Sequence, residues 1–401
     1  MTINNKNKNP NVPPLRFPEF NGEWEMATFG DIAKGFDYGM NAAAKSFDGN
    51  NKYIRITDID EVSSQYLYDD VVSPDGELED SYLVKENDIL LARTGASTGK
   101  SYLYRNSDGK LYFAGFLIRA NIYKHNAYFV FSQLHTLRYK KWISVMSARS
   151  GQPGINSQEY ASFPVYTTSL QEEDKIATFL KLLDERITTQ NKIIDRLESL
   201  IRGINQYAFT SKGVNYKLGE LCEIRSGYSG NQLTSKNGLK VSRIETISGH
   251  KVNMERVGYV APFESSGNYR LQIGDILFSN INSVEYIGNT AFIDKDYNLY
   301  HGMNLLRLAP NKKVVMPFYL YLLLNTNRML NHFKTVCNKA VSQASINQTE
   351  LGKTVIRIPD LKAQKQICEL FQALYAKLES ESYAISLLQN QKQHLLRQMF
   401  I

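Results

Sequence analysis

The sequence is poor in cysteine and has no long hydrophobic run. Its 401 residues include three cysteines, Cys222, Cys337 and Cys368, whose wide separation gives no metal-ligand spacing. So few, so widely separated, cysteines suit a reducing cytoplasm. No apolar run reaches the roughly 18 to 20 residues that span a bilayer, and the first residues lack the apolar core of a signal peptide. We therefore expect a cytoplasmic protein that does not cross a membrane.

The motifs of common catalytic sites are also missing. The six histidines have neither HExxH spacing nor a CxxC neighbour, and neither an Asn-Pro-Pro-aromatic tetrapeptide nor an acidic nuclease cluster occurs. Gly95–Ser101 resembles a phosphate loop, but only three residues separate its glycines where a Walker loop has four. Asp88 and Asp275 fit a turn carboxylate before a buried strand better than a paired acidic site. The sequence predicts no catalytic residue, metal or cofactor.

The charge balance is mildly basic. The formal net charge is +7 and the isoelectric point is near 9.0. Such a charge permits a polyanionic partner, but many ordinary soluble proteins are as basic as this. Nucleic acid is therefore favoured only modestly by composition.

Residues 170–212 predict one long helix, because they contain no proline and their only glycine is Gly203. Apolar residues recur in alternating steps of four and three, the a/d pattern of a coiled coil, with Gln190 as the one polar member. At about 1.5 Å per residue the helix would be about 60 Å long, too long for one small domain. The seam consists of Ile176, Leu180, Leu183, Ile187, Gln190, Ile194, Leu197, Ile201, Ile204 and Ala208.

Residues 361–401 repeat this pattern 191 positions further along the chain. Glu381 takes the place of Gln190, whereas Lys392 stands where the first helix has Ile201. A coiled-coil seam needs a partner, so we expect the two helices to pack against each other. The second seam consists of Ile367, Phe371, Leu374, Leu378, Glu381, Ile385, Leu388, Lys392, Leu395 and Met399.

The segments before the two helices also match, which predicts a domain duplication rather than a solenoid. The matched pairs are Phe29–Gly35 with Leu218–Ile224, Tyr53–Ile59 with Gly238–Ile244, Leu83–Lys100 with Leu271–Asn289, and Ser150–Tyr166 with Val341–Arg357. In the first copy we predict one helix over Ala127–Ser147 and strands over Tyr53–Ile56, Asp88–Ala92, Tyr102–Tyr104 and Tyr112–Ile122. The predicted segments are a disordered N-terminus (1–15), a first domain (16–169), a central helix (170–212), a second domain (213–360) and a C-terminal helix (361–401).

Polar loops in each copy carry the residue types that recognise DNA. Arg, Gln and Asn pair with base edges, and Lys and Ser suit phosphates. The loops differ between the copies while the frame repeats, as expected of two readers of different sequences; drift after duplication is the alternative. The predicted DNA-binding residues are Arg93, Thr94, Ser97, Lys100, Arg149, Ser150, Gln152, Ser279, Asn280, Ser283, Lys339, Ser342 and Gln343.

Taken together, these features resemble the specificity subunit of type I restriction–modification systems, over nearly all of residues 12–401. One departure is that the second copy lacks the Arg-Thr-Gly-Ala sequence of Arg93–Ala96, so the shape of its loop should differ. The resemblance is carried by the opening Val12–Glu25, the NDI and GDI steps at Asn87–Ile89 and Gly274–Ile276, the Q-x-x-I-N steps at Gln152–Asn156 and Gln343–Asn347, and the helix starts Glu172–Ile187 and Lys362–Leu378.

The resemblance implies an α+β fold in which two α/β target-recognition domains are joined by two long antiparallel coiled-coil helices, in a pseudo-two-fold arrangement. Each domain would read one half of an asymmetric bipartite site in double-stranded DNA. The helices would set the gap and dock two modification subunits that carry S-adenosylmethionine and methylate adenine, while separate restriction subunits supply ATP-driven translocation and cleavage. The subunit itself would catalyse nothing. The helix-packing residues are Ile176, Leu180, Leu183, Ile187, Ile194, Leu197, Ile367, Phe371, Leu374, Leu378, Ile385 and Leu388.

Two alternatives belong to other classes. A methyltransferase or nuclease with divergent motifs would bind S-adenosylmethionine as the isolated chain. A tandem protein-interaction scaffold, in which the coiled coil is only a spacer, would show no sequence-dependent DNA binding even with its partners present.

Overall fold

Two compact units make up the chain. The computed structural model describes residues 11–148, 154–209, 213–340 and 343–401, and the backbone of residues 2–3. The first unit comprises Met1–Asn191 with Tyr383–Ile401, and the second comprises Lys192–Ser382. The division therefore falls within both long helices rather than at their ends. Each unit contains a domain of mixed strands and helices, so the predicted α+β class is confirmed.

Nine α-helices occur in the described residues, and two of them are much longer than the rest. None of the described helices is both long and apolar enough to cross a membrane. They are α1 (Ala127–Gln133), α2 (Leu137–Ser147), α3 (Ser157–Ala161), α4 (Leu170–Tyr207), α5 (Leu218–Leu221), α6 (Pro317–Leu324), α7 (Asn327–Val336), α8 (Gln348–Lys353) and α9 (Leu361–Met399).

The strands of the first unit include an antiparallel four-stranded sheet in the order β4-β11-β8-β9. All five residues of the central β8 are buried, which explains its unbroken apolar sequence after the first position. The strands are β1 (Thr2–Ile3), β2 (Leu15–Arg16), β3 (Glu25–Thr28), β4 (Ala33–Tyr38), β5 (Ala43–Ser46), β6 (Lys52–Ile54), β7 (Val72–Asp75), β8 (Asp88–Ala92), β9 (Ser101–Leu103), β10 (Leu111–Phe113), β11 (Leu117–Ile122) and β12 (Pro164–Thr167).

The second unit repeats this sheet as β14-β20-β17-β19, again antiparallel throughout. The same strand order in both units confirms the duplication that the sequence predicts. The strands are β13 (Val214–Lys217), β14 (Cys222–Ser226), β15 (Leu239–Val241), β16 (Gly258–Val260), β17 (Ile276–Phe278), β18 (Ile281–Asn282), β19 (Thr290–Phe292), β20 (Leu306–Pro310), β21 (Asn338–Lys339), β22 (Ala344–Ser345) and β23 (Val355–Ile358).

Two predicted elements of the first unit are each divided in two. The single helix predicted over Ala127–Ser147 is wrong, because the Thr136 side chain caps a new helix by accepting a hydrogen bond from the Tyr139 N–H. The run Tyr112–Ile122 is two strands, β10 and β11, separated by residues 114–116. A helix cap and a tight turn can interrupt an apolar run without changing its periodicity, so the pattern alone does not reveal them.

The N-terminal segment is more ordered than its composition predicts. Residues 11–15 are described, and the Asn11 carbonyl accepts a hydrogen bond from the Trp24 N–H at 2.8 Å. Arg16 forms a bidentate, buried ion pair with Glu172 at the start of α4, with both N–O distances at 2.7 Å. This pair fastens the segment to the long helix.

Seam residues towards the ends of the two long helices pack in apolar clusters. In the first unit Ile176 and Leu180 of α4 share one core with Leu395 and Met399 of α9. Residues early in the α4 segment thus meet residues late in the α9 segment, so the two segments run antiparallel there. In the second unit the shared cluster consists of Ile201, Ile204, Ala208, Ile367, Phe371, Leu374 and Leu378 with their neighbours.

Lys392, the position that departs from the apolar seam, is neutralised. Its Nζ lies 2.6 Å from a carboxylate oxygen of Asp184, and both side chains are largely shielded from solvent. Tyr128 also donates a hydrogen bond to Asp184. A buried cation needs such a partner, and this pair gives the α4 and α9 segments of the first unit a specific register.

Candidate nucleic-acid interface

In the first unit the loop that contains Arg93 is a closed connection between β8 and β9. The Gly99 N–H donates to the Ala92 carbonyl at 3.0 Å, and the Ala92 N–H donates to the Lys100 carbonyl at 2.8 Å. Gly99 has a φ of +92°, and a Cβ there would lie 2.9 Å from Ile143 of α2. Only glycine meets both conditions without strain. The loop is thus held against a helix at its end.

Two buried tyrosines fix the same loop from below. The Tyr160 hydroxyl donates to the Ala92 carbonyl at 2.6 Å and accepts from the Gly99 N–H at 3.1 Å. The Tyr139 hydroxyl donates to the Gly99 carbonyl at 3.1 Å. Burial raises the pKa of both hydroxyls, so they remain protonated donors. We call Tyr139 and Tyr160 the tyrosine clamp.

The Arg93 side chain is free of any ion pair in the described residues. Its guanidinium lies 4.8 Å from the centre of the Tyr38 ring, and its Nε is buried without a hydrogen-bond partner. A cavity of about 590 Å³ opens beside it, lined in part by Arg55 and Phe116. An arginine held on an aromatic ring and not neutralised is suited to bind an acceptor from outside the chain.

The other predicted residues of the first unit have different surroundings. Thr94 forms an isolated β-bridge with Gly154, and the Ile155 N–H donates to the Arg93 carbonyl at 2.9 Å. These contacts hold the end of the second predicted loop beside the first. Ser97 ends a short 3₁₀ turn. Lys100 points to the Ile59 carbonyl at 3.5 Å and to Glu61 at 3.9 Å, in a partly shielded position. Arg149, Ser150 and Gln152 lie outside the described residues.

The second unit also brings its two predicted loops together. Strand β18 pairs with β22, and β22 pairs with β21, so the loop after β17 joins strands β21 and β22 in one small sheet. The Ile346 N–H donates to the Asn280 carbonyl at 2.9 Å. This bond is the counterpart of the one between Ile155 and Arg93. The same backbone connection therefore joins the same two loops in both units.

Ser279 is a scaffold position rather than an exposed loop residue. Its side chain is fully buried, its N–H donates to the Asn289 carbonyl at 2.8 Å, and its carbonyl accepts from the Gly288 N–H at 2.9 Å. These bonds match those of Ala92, so Ser279 occupies the end of the strand and Asn280 corresponds to Arg93. The aligned NDI and GDI steps give the same correspondence from the sequence, but they do not show that the Ser279 side chain is buried.

The remaining predicted residues of the second unit lie near this small sheet. Asn280 is half-buried, and its amide nitrogen donates to the Ile346 carbonyl at 3.4 Å. Ser283, Lys339 and Gln343 are exposed. Lys339 lies on β21, and the Gln343 carbonyl accepts a hydrogen bond from the Ala340 N–H at 2.8 Å. Ser342 lies outside the described residues.

The two acidic steps before the central strands are structural. The Lys85 N–H donates to Asp88 at 2.7 Å, and the Gln272 N–H donates to Asp275 at 2.6 Å. Burial raises the pKa of both carboxyls. Interpretation of these residues as turn carboxylates is confirmed. No cluster of three or more potential metal ligands occurs in the part of the chain that the structure describes.

Sequence reasoning missed the residues that surround and support these loops. Tyr38 and Phe116 lie beside Arg93, and the tyrosine clamp lies beneath it. None of them belongs to a polar loop. Their proximity follows from the pairing of β4 with β11 and from the packing of α2 and α3 below β8, which no local sequence signal encodes.

The architecture defines a duplicated α+β protein with two long helices, and comparison with known proteins gives its family. The family model "Type I restriction modification DNA specificity domain" matches residues 21–199 and again residues 211–388. The chain therefore belongs to this family, and it contains the domain twice.

Individual relatives agree with this assignment. A Methanocaldococcus jannaschii protein provisionally assigned as the MjaX type I restriction enzyme specificity subunit is 41% identical over 180 residues, which span 44% of this chain and 42% of that relative. The match to it thus covers less than half of its length. The MjaVIII specificity subunit of the same organism is 25% identical over 398 residues, which span 90% of this chain and 87% of the relative.

Solved structures show the same fold. A type I restriction–modification S subunit from M. genitalium has a TM-score of 0.61 at 15% identity, covering 97% of this chain and 99% of that one. A chain from a study of complex assembly and conformational transition of the type I R-M system has a TM-score of 0.59 at 17% identity, covering 96% of this chain and 98% of that one.

Proposed function

We propose that this protein is the DNA specificity subunit of a type I restriction–modification complex. Each domain reads one half of an asymmetric bipartite site, and the chain itself catalyses nothing. The observation that carries the proposal is the duplicated family match, supported by the loop pair that is joined by the same backbone hydrogen bond in both units.

In the first unit, the proposed contacts to DNA come from Arg93 and the residues around it. Its guanidinium is unpaired in the described residues and stacked on Tyr38, so it is oriented without being neutralised. Arginine pairs bidentately with guanine O6 and N7, the commonest specific contact in the major groove. In the second unit, Asn280, Ser283, Lys339 and Gln343 form the corresponding group. Ser279 is excluded from it because its side chain is buried.

The long helices supply the spacing and the partner surface in this proposal. Half-sites read from one face of B-DNA lie about one turn, roughly 34 to 36 Å, apart, and a helix of about 60 Å covers that distance. Two modification subunits would dock along α4 and α9 and methylate adenine, and restriction subunits would join the full complex. Such a complex acts on DNA in the cytoplasm.

The test is to co-express the chain with a cognate modification subunit and to map methylated adenines across the genome. A split motif with a fixed gap is expected. Replacing residues 218–360 with the second domain of another family member should change one half of the motif only. Loss of sequence preference in a stable complex would instead favour a protein-interaction scaffold.

Point variants assign each half. Arg93→Ala should relax the first half of the motif and Asn280→Ala the second, because a lost bidentate contact lowers discrimination by about 1–3 kcal/mol. Arg256→Ala, which removes an exposed charge outside both loop pairs, is the matched control. A variant that alters both halves equally would contradict the division of labour.

A further inference from the structure

One arginine has opposite environments in the two units. Arg138 in the first unit and Arg328 in the second follow equivalent helix caps, Thr136 and Thr326. The Arg138 guanidinium lies 5.3 Å from the Phe163 ring centre and 4.7 Å from that of Tyr166. Burial lowers its pKa. The first unit thus closes two aromatic rings over this cation.

The second unit lacks both rings. The strand alignment is fixed by two equivalent backbone bonds, Phe29 N–H to the Phe163 carbonyl at 2.8 Å and Leu218 N–H to the Thr354 carbonyl at 2.9 Å. Thr354 therefore replaces Phe163, and Arg357 replaces Tyr166. On the helix, His332 replaces Trp142 at the same distance from the cap. The first unit therefore has an aromatic cluster at this place, and the second unit has a cluster of cationic and polar side chains.

A cavity of about 500 Å³ occupies this place in the second unit. Arg328, His332 and Arg357 line its wall, and no aspartate or glutamate is among its described lining residues. Neither arginine forms an ion pair within the described part of the chain, and the Arg357 Nε donates only to the Asn215 amide oxygen, at 3.3 Å. The cavity therefore presents positive charge without a counter-ion.

The floor of the cavity is apolar. Leu323, Met329 and Ile356 are buried there, and Phe209 is half-buried. A volume of this size lies in the range of small-ligand sites, which combine an apolar lining with a few convergent polar groups. An anion with an organic group attached satisfies both parts of this surface.

We propose that this cationic pocket of the second unit binds a phosphate oxyanion carried on an organic group. Guanidinium forks match phosphate geometry, and two arginines from α7 and β23 together with an imidazole offer donors to more oxygens than a planar carboxylate presents. The phosphate belongs either to a free nucleotide or to the DNA backbone. The two sources share the same chemistry and are separated by experiment.

The first arm titrates the purified full chain with inorganic phosphate and with adenosine 5′-monophosphate, followed by calorimetry. If the phosphate is that of a free nucleotide, Arg328→Ala and Arg357→Ala should each weaken binding of the nucleotide about tenfold, because hydrogen bonds to charged groups are among the strongest. Arg256→Ala removes the same charge elsewhere and should change the affinity less than twofold. This arm contains no DNA, so it is independent of the proposed function.

The second arm measures binding of duplex DNA by the full chain with its modification subunits over a series of salt concentrations. If the phosphate is that of the DNA backbone, each pocket variant should reduce the salt dependence of log affinity by about one unit, uniformly across sequences. Arg256→Ala should not. A nucleotide response assigns a free ligand, and a duplex response without it assigns the backbone.

Both arginines are exposed, so the variants should keep the fold. Arg328→Gln and Arg357→Tyr provide a second variant at each position, and Arg357→Tyr introduces the residue that the first unit has there. The proposal is overturned if every pocket variant behaves like Arg256→Ala in both arms. It is also overturned if a glutamate-rich peptide, and not phosphate, binds in an Arg328-dependent manner, since the pocket would then be a carboxylate site.

Discussion

The two units fasten the same frame with different polar groups. At the start of α4, a buried Glu173 oxygen accepts from the Asn126 N–H at 2.9 Å, and at the start of α9 a buried Gln364 oxygen accepts from the Met316 N–H at 2.8 Å. The hydrogen bond is retained although the charge is not. A frame built on backbone bonds and apolar packing thus tolerates exchange of the side chains that complete it.

The two units also differ in how they place charged side chains. The first unit buries the ion pair of Arg16 with Glu172, whereas the second has Ala363 at the position of Glu172 and buries a different pair, Arg307 with Asp275. The first unit half-buries Arg138 against aromatic rings, whereas the second exposes Arg328 to a cavity. A buried charge must be paired, and an exposed one remains available to a ligand. At this position the second unit therefore offers a cation that no aromatic ring of the described residues covers.

The largest expected effect is on the buried ion pair of the first unit. Arg16→Ala leaves the Glu172 carboxylate buried without its partner and should lower the free energy of unfolding by about 3–5 kcal/mol. Denaturant titration of the full chain measures the loss, and hydrogen exchange should place it in the first unit. Arg202→Ala, which breaks the exposed pair with Glu198, should have almost no effect. Equal losses would contradict the distinction between buried and exposed charge.

A pH-dependent difference follows from His135, whose counterpart in the second unit is Asn325. Burial, helped by nearby Lys392, lowers the pKa of His135 to about 4 from its ordinary 6.5. Between these values the unfolded chain binds a proton that the folded chain does not, so stability falls as pH falls from 6.5 towards 4. At pH 5 the loss is about 2 kcal/mol.

His135→Asn should remove this contribution. The decrease in unfolding free energy between pH 7 and pH 5 should become smaller by about 2 kcal/mol, while stability at pH 7 stays nearly constant. Burial also lowers the pKa of His301 in the second unit to about 4. Its contribution to the pH dependence of stability should therefore be the same in the wild-type chain and in the variant. An unchanged pH dependence in the variant would mean that His135 is protonated in the folded chain.

The tyrosine clamp gives a third, smaller difference. The second unit has Met329 and Leu351 where the first has Tyr139 and Tyr160, so these two positions supply hydroxyls to the loop in the first unit only. Tyr160→Phe leaves the Gly99 N–H without one of its acceptors and should cost about 1–2 kcal/mol. In the methylation map it should blur the first half-site and leave the second unchanged.

Tyr297→Phe is the matched control for that variant, because it removes a hydroxyl that donates to Asp294 at the surface of the second unit. It should alter neither half-site. If Tyr160→Phe lowers stability but leaves the first half-site as sharp as before, the clamp is structural and does not position the loop for recognition.

The smallest expected effect comes from one cross-strand position. Arg119 lies opposite Asp37 in the first unit and pairs with it at 2.7 Å, whereas Arg307 lies opposite Arg225 in the second. Arg307 already pairs with Asp275, and Arg225 with Glu223. Arg225→Asp exchanges the Arg225–Glu223 pair for a cross-strand pair with Arg307, so the free energy of unfolding of the second unit should change by no more than a few tenths of a kcal/mol. Thermal unfolding at low and high salt measures it. A salt-independent change would exclude an ionic origin.

The elements that the sequence predicted best were those with long, uniform patterns. The a/d steps of Ile176, Leu180 and their successors predicted both long helices. Helix α4 ends at Tyr207 rather than at residue 212, and residues 210–212 lie outside the described residues. The β8 strand was predicted at its observed bounds because all its residues are buried. Periodicity reports which face is buried, and in such elements one face dominates.

The sequence by itself determined the duplication, the long helices and the two polar loops of each domain, because repeats and periodicity are written along the chain, and it indicated the α+β class through the family resemblance. Tertiary structure alone decided which loop residues are accessible. It buried Ser279 at the end of a strand, directed Lys100 towards Glu61, stacked Arg93 on Tyr38 and opened a pocket around Arg328. These outcomes depend on strand order and on contacts between residues far apart in sequence, and local patterns carry no record of either.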